Sequence, residues 1–420
     1  MVLRFYYLFK MQSFPTKYEQ RDRFMIDTVG GLEHSEMPLA FRVRGGDARS
    51  GPLAGLPGQT TIRVEARALG KHQKEALVTE GETVWRLASD EPAFLQSTDL
   101  APFPLAYFNA GLQADLFNQL RQVSAARGIA LSALRSRLTT RYFFTGSFFK
   151  GTGQGIAESP VGEIGLQSDL DAEGAAALVA AAAHASPGAA ALRQALKNTF
   201  ALYANGRRRK LARLPESSLI EVADPFKVHR ESPRPEAGAD VGHDLVAKLP
   251  VDAADAKRLT ESPRAIPGDA ARMEIAVHGE GSWTLPGHTS EFVSWAPPPA
   301  TRRFLIRSDE APAGANAPSG LALLSAGIAF CFMTQLIRYI EHRKLDVRAI
   351  RLVQFNPFEI VLDSGERRGR AGAADTHLFL HGAASADQLE ELHEMAVRTC
   401  YLHAALRVAL APEWRLVDRG

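Results

Sequence analysis

One order of elements is read twice along this chain, and that recurrence restricts the fold more than any other feature. Phe108-Asn-Ala-Gly-Leu-Gln-Ala-Asp-Leu-Phe-Asn-Gln-Leu120 lies over Leu324-Ser-Ala-Gly-Ile-Ala-Phe-Cys-Phe-Met-Thr-Gln-Leu336 at an offset of 216 residues. The two segments share Ala-Gly, a following aliphatic residue and Gln-Leu at identical spacing. Before the first lies a period-two strand, Thr60–Ala68, and two more strands within Lys74–Leu87 that turn at Glu80-Gly81. The spacing then predicts a helix over Pro102–Arg127 stopped by Gly128, extended segments over Ser132–Phe149 and Gly155–Asp169, and a helix over Asp171–Ala185. The same order returns as strands at Met273–Val277, Gly287–Ser294 and Thr301–Arg307, a helix over Pro318–Arg343, strands within Val347–Leu362 and a helix over Ser385–Thr399. Ala181-Ala-Ala-His-Ala-Ser-Pro-Gly188 falls over the residues around Cys400 at an offset of 214 residues. Two helices in one order at nearly one offset argue for an internal duplication.

A chain of 420 residues exceeds what one core usually organises. The expected division is an N-terminal arm over 1–58, a first unit over 59–205, a linker or insertion over 206–270 and a second unit over 271–420. The linker assignment rests on its proline and charge, as in Ser232-Pro-Arg-Pro-Glu236 and Ser262-Pro-Arg-Ala-Ile-Pro267. Formal net charge is +2, so the overall field favours neither nucleic acid nor an anionic membrane as partner. The one dense basic cluster, Arg207-Arg-Arg-Lys-Leu-Ala-Arg213, reads as a solvated edge or linker, or as an anion or nucleic-acid contact. Met1–Lys10 lacks the parts of a signal peptide, and the true start could be Met11 or Met25. The longest apolar stretch, Leu321–Met333, is 13 residues against the roughly 18 that a spanning helix needs, so a soluble protein with a buried core helix is expected.

The chain has two cysteines, Cys331 and Cys400. They suit neither a disulfide framework nor a structural zinc site, and a reducing, cytoplasmic compartment is the expectation. In the register of the repeat, the matching positions of the first unit hold Asp115 and Ser186. Asp115 is a carboxylate on an apolar helix face, which calls for a basic partner, a raised pKa or solvent access. It forms a structural ion pair, faces solvent or lines a degenerate pocket. Unpaired cysteines are also common as small buried residues.

The strand-rich start, the long helix of the form Pro…Leu-Leu…Ala-Gly…Cys-Phe and the second helix carrying a cysteine resemble the osmotically inducible protein C (OsmC) family, which includes organic hydroperoxide reductases. Ser186-Pro187 resembles that family's second Cys-Pro element with serine in place of cysteine. The resemblance covers roughly 58–205 and 270–418. It implies an α+β fold of two fused OsmC-like domains, each an antiparallel sheet with a long buried central helix and a second helix, forming an intrachain pseudo-dimer. It implies a peroxidatic Cys331 and a resolving Cys400, an organic hydroperoxide or other small apolar molecule as substrate, a dithiol reductant as partner, and no metal or bound cofactor. The alternative is a non-enzymatic scaffold or small-molecule binding protein of the same fold.

A thiolate attacks peroxide oxygen to leave sulfenic acid, and a second thiol condenses with it to a disulfide. A free thiol has a pKa of about 8.5, so a cation is needed beside Cys331. That residue lies too deep in its helix for the N-terminal dipole to act. The family's arginine has no clear counterpart, and Arg67, Lys71 and His72 are the candidates. His393, seven residues before Cys400, faces the site or the surface. His377 and His381 lie on a strand pattern without the carboxylates a metal site would add, and Gly151-Thr-Gly-Gln-Gly155 is too generic for a phosphate loop.

Overall fold

Gln59–Ala68 (β2) alternates strictly, so Ile62, Val64, Ala66 and Ala68 enter the core while Arg63, Glu65 and Arg67 take the opposite face. Its neighbours Lys74–Glu80 (β3) and Thr83–Ser89 (β4) complete an antiparallel meander whose turn is Gly81, at φ 54°. The computed structural model describes residues 31–35, 37–43, 59–148, 150–231, 245–259, 261, 265–266, 272–297, 301–310 and 316–417. The expectations for Met1–Lys10, for a start at Met11 or Met25 and for Ser232–Glu236 lie outside those residues, as does most of the expected arm.

The protein is mixed α and β, with helices packed on two sheets. The first sheet runs Ala40–Arg42 (β1), β4, β3, β2, Val347–Asp363 (β15), Asp375–Gly382 (β17), Thr199–Ala204 (β8) and Arg207–Arg209 (β9), with Glu366–Ala371 (β16) on β15. The second runs Val246–Lys248 (β10), Phe304–Asp309 (β14), Thr289–Trp295 (β13), Arg272–Thr284 (β12), Leu131–Thr145 (β5), Val161–Ser168 (β7) and Glu413–Leu416 (β18). Ala265–Ile266 (β11) pairs with β12, and Gln154–Ala157 (β6) with β5. Each sheet therefore joins a meander from one stretch of chain to a long hairpin from the other. β2 pairs antiparallel with β15 from Arg67↔Arg351 to Gln59↔Glu359, and β12 pairs antiparallel with β5 from Met273↔Phe144 to Thr284↔Ala133. These seams give the innermost strand of each meander a partner on both sides.

Two long helices, Pro104–Ala126 (α1) and Gly320–Arg343 (α6), pack on each other and on these sheets. Their backbones approach closely where glycine removes the side chain. A Cβ on Gly111 would lie 2.6 Å from the Leu324 nitrogen, and one on Gly327 would lie 2.9 Å from the Phe108 nitrogen. By length and composition α6 could cross a membrane, but 94% of its apolar window is buried inside the fold, as in a core helix.

The expected helices over Asp171–Ala185 and Ser385–Thr399 are present as Ala172–Ala185 (α2) and Ala386–Thr399 (α7). Each turns at once into a seven-residue helix, Pro187–Arg193 (α3) and Tyr401–Arg407 (α8), which the sequence pattern did not announce. Helices this short are marginal alone and hold through burial. Ser186 caps α3 with its hydroxyl accepting from the Ala189 nitrogen, and Pro187 begins it. The residues expected to link the units also carry short elements, Phe226–Arg230 (α4), Ala253–Arg258 (α5), β9, β10 and β11. The basic cluster supplies the edge strand β9, where Arg208 donates to the carbonyls of Ser217 and Ile220 at 2.8 Å each.

Candidate functional site

α6 carries Cys331 in mid-helix, and the α7–α8 junction carries Cys400, which the turn folds back toward α6. The two sulfurs lie 3.4 Å apart, and both residues are buried. Cys400 is the N-cap of α8 and accepts from the His403 backbone nitrogen at 3.5 Å. The His403 ring turns onto the same sulfur, with Nδ1 at 3.2 Å. Burial pushes the Cys331 thiol up, and its contact with Cys400 pushes it further the same way. Burial also works against charge on Cys400, but the adjoining Cys331 thiol and His403 outweigh it and hold Cys400 well below the usual thiol range. Of this coupled pair, Cys400 is the better seat for a negative charge.

The buried cation near Cys331 is Lys74. Its Nζ donates to the His72 carbonyl at 2.7 Å, to Thr334 Oγ1 at 2.9 Å and to Glu91 Oε1 at 3.4 Å. Thr334 lies one turn beyond Cys331 and donates to Glu91 Oε1. Burial pulls the Lys74 ammonium below its ordinary value, while Glu91, Asp90 and Cys331 each favour its charged form. Lys74, Thr334 and Glu91 thus form a closed polar triangle beside the thiol, with each member partnered.

Cys331 also faces a cavity of about 50 Å³. Its walls are mainly apolar, with Phe94 and Leu105 from the earlier part of the chain and Met273, Ile275 and Tyr401 from the later part. Glu91, Thr334 and Arg338 supply polar groups to the lining. A small apolar molecule with one polar end could reach the Cys331 sulfur there. Among the described residues, no group of three or more His, Cys, Asp or Glu could hold a metal ion.

The other expected site residues are elsewhere. Arg67 lies on the outer face of its strand and donates to Glu75 Oε1 at 2.7 Å, so alternation points it away from α6. Lys71 is exposed and pairs with Glu33 at 3.2 Å, and His72 pairs with Glu341 at 3.2 Å, beyond Cys331 on α6. His393 is buried, its ring centroid 5.4 Å from that of Phe200 and 5.8 Å from that of Phe332, and it does not line the cavity. Burial pulls it down to about 3. Asp115 is buried and has no salt bridge among the described residues: Oδ2 accepts from Ser186 Oγ at 2.5 Å and from the Gly188 nitrogen at 2.8 Å. His377 and His381 share one face of β17 and pair with Asp375 and Asp224. Gly153 of the glycine loop accepts from Arg398 at 2.9 Å, buttressing the turn that holds Cys400.

The sequence held signals for the missed residues. Lys74 has the same parity as Ala76 and Val78, so a charge stood on the core face of β3. His403 follows Cys400 by three residues, one helical turn. Ala190-Ala-Leu-Arg193 repeats as Ala404-Ala-Leu-Arg407 at the offset of 214, which would have extended the match through α3 and α8.

The family model described as OsmC-like protein matches residues 313–414, which contain α6, both cysteines and His403. No curated protein matches. Among solved structures, an OsmC-like hydroperoxide resistance protein from Jannaschia sp. CCS1 is similar at 21% identity, covering 31% of this chain and 83% of that one with a TM-score of 0.20.

Proposed function

We propose, from the premise that residues 313–414 of this chain belong to the OsmC-like family, that the protein is a thiol peroxidase acting on organic hydroperoxides. One observation carries the proposal: two buried thiols 3.4 Å apart, one of them in the wall of a mainly apolar cavity. Cys331 attacks the terminal peroxide oxygen, the O–O bond breaks, and an alcohol leaves as Cys331 becomes a sulfenic acid. Cys400 attacks that sulfur, the S–S bond forms, and water departs. A dithiol reductant then restores both thiols by exchange. Lys74 supplies positive charge near Cys331, and Thr334 and Glu91 position it.

The proposal extends to the architecture. The chain is two fused OsmC-like units, over 59–205 and 271–420, forming an intrachain pseudo-dimer whose later unit keeps the cysteine pair. Support comes from the meander exchange in both sheets, from the reciprocal approaches of Gly111 to Leu324 and of Gly327 to Phe108, and from the shared order of long helix, second helix and short capped helix. The cycle needs a compartment that returns the cysteines to thiols, and the cytoplasm is proposed.

The test is to give the reduced protein one equivalent of cumene hydroperoxide, follow the peroxide and map disulfides by mass spectrometry. Consumption with a Cys331–Cys400 bond is expected. Neither consumption nor that bond would leave a non-enzymatic OsmC-like fold, the reading favoured by the burial that pushes Cys331 up.

A further inference from the structure

We propose that His403 is the proton carrier of the resolving step: its Nδ1 shares a proton with the Cys400 sulfur and delivers it to the hydroxide that leaves Cys331 when the disulfide closes. The inference rests on the thiol peroxidase reading and adds a residue to it. Nδ1 lies 3.2 Å from Cys400 Sγ, and Cys331 Sγ lies 3.4 Å from Cys400 on the neighbouring helix. His403 is 1% exposed, and its Nε2 has no hydrogen-bond partner among the described residues. Its ring is flanked by Phe200 and Phe332, with centroids 5.5 Å and 5.2 Å away. The Cys400 sulfur is therefore the polar partner that the structure gives this ring. The position matched to His403 at the offset of 214 holds Ala189, beside Ser186, so imidazole accompanies the thiol and is missing beside the hydroxyl.

Burial supplies the physical reason. A lone thiolate at Cys400 would be a desolvated charge, whereas a thiol–imidazole pair carries no net charge whichever atom holds the proton. The step balances within the pair. Cys331–SOH and Cys400–SH become Cys331–S–S–Cys400 and water. The Cys400 proton passes to Nδ1 as the sulfur attacks, the S–O bond on Cys331 breaks, and the imidazolium returns the proton to the departing hydroxide. Sulfur at Cys400 is oxidised, the sulfenic sulfur is reduced, and no outside proton is needed. Among the described residues, the charged and titratable groups around the pair are Cys331 and Arg338 from α6, Lys74 from β3, Tyr142 from β5, Glu91 before α1, His393 from α7, and Tyr401 and Arg407 from α8.

The test is a rapid-quench comparison of parent and His403→Gln proteins after one equivalent of cumene hydroperoxide, from acid to alkaline pH. The disulfide is read by mass spectrometry and the sulfenic acid by trapping with dimedone. In His403→Gln, disulfide closure near neutral pH is expected to slow by roughly a hundredfold, the ratio of trapped sulfenic acid to disulfide to rise, and the defect to shrink at alkaline pH. Closure at the parent rate with the parent pH profile would overturn the proposal. A parent protein that consumes no peroxide overturns the peroxidase reading and with it the resolving step. The pairing is then read separately in a Cys331→Ser background by thiolate ultraviolet absorbance. There His403→Gln should raise the Cys400 midpoint by about one unit or more, and an unchanged midpoint removes the pairing too. Should the glutamine variant misfold, nitrogen-15 histidine spectra of the parent serve instead. The Nδ1 resonance of His403 must shift between the dithiol form, where a proton links it to Cys400, and the disulfide form, where none does, and identical spectra refute the shared proton.

Discussion

Ser186 donates to Asp115 at 2.5 Å, and in the register of the two long helices that hydrogen bond occupies the place of the 3.4 Å contact between Cys400 and Cys331. The surroundings correspond as well. The Gly188 nitrogen donates to Asp115, as the Leu402 backbone does to Cys331. On the duplicated architecture proposed above, a carboxylate and a hydroxyl fill one position, and two thiols fill its counterpart. The differences between the sites isolate what each side chain contributes.

The first prediction concerns the cysteines. Cys331→Ser should abolish hydroperoxide consumption, whereas Cys400→Ser should consume one equivalent and stop with Cys331 as a sulfenic acid that dimedone traps. If the first variant still turns peroxide over, Cys331 is not the attacking thiol.

Lys74 is buried and held by Glu91 and Thr334. Lys74→Met removes one partner of a buried ion pair and strands the other, so a loss of roughly 3–5 kcal/mol is expected in urea unfolding. Adding Glu91→Gln should recover part of it, because the uncompensated carboxylate goes too. Reaction of Cys331 with hydroperoxide should slow in the single variant. A single variant as stable and as fast as the parent would remove Lys74 from the site.

Asp115 gives a pH prediction. Burial raises its carboxyl from an ordinary 3.8 to about 6, against the opposing hydrogen bonds from Ser186, Gly188 and Gln119. Between those values the native state holds a proton that the unfolded chain has released, so stability falls as pH rises through the window and stays lower above it. The span of about two units corresponds to about 3 kcal/mol. Glu310, raised to about 8 chiefly by burial and next by Asp115, extends the same trend upward. Asp115→Asn keeps an acceptor for Ser186 and Gly188 and should flatten the profile between about pH 4 and pH 6, measured by urea unfolding across pH. A profile identical to the parent's would contradict the assignment.

The close approach of α1 and α6 can be tested from both sides. Alanine in place of glycine favours a helix by about 1 kcal/mol in the open. At Gly111 or Gly327 the added Cβ would meet backbone at 2.6 or 2.9 Å, and neither backbone can yield as a flexible side chain would. Gly111→Ala and Gly327→Ala should each lower the unfolding temperature despite the better propensity, with overpacking costing about 1–3 kcal/mol or more. A rise in either melting temperature would show that the helices can separate.

Much of this was legible residue by residue. The bounds of α1, α2, α6 and α7 followed from apolar runs and their stops, and the β3–β4 turn followed from Glu80-Gly81. The cysteine pair stood out by position. The cation did not, because Arg67, Lys71 and His72 are candidates only as basic residues near the early strands. Strand parity decides which side chains face α6, and it selects Lys74. His403 passed unremarked because its role depends on α8, a helix too short to show in a periodicity.

The sequence by itself determined the longer elements, their order and the isolation of two thiols, because alternation, helical period and residue identity are local properties. Tertiary structure alone decided that β2 pairs with β15 and β12 with β5, since an alternating strand satisfies either partner equally well until the chain closes. It also decided that Lys74 comes near Cys331 and that His403 turns its ring onto Cys400. Those contacts join residues whose spacing along the chain carries no record of distance, and burial then gives them their strength by removing the water that would otherwise screen them.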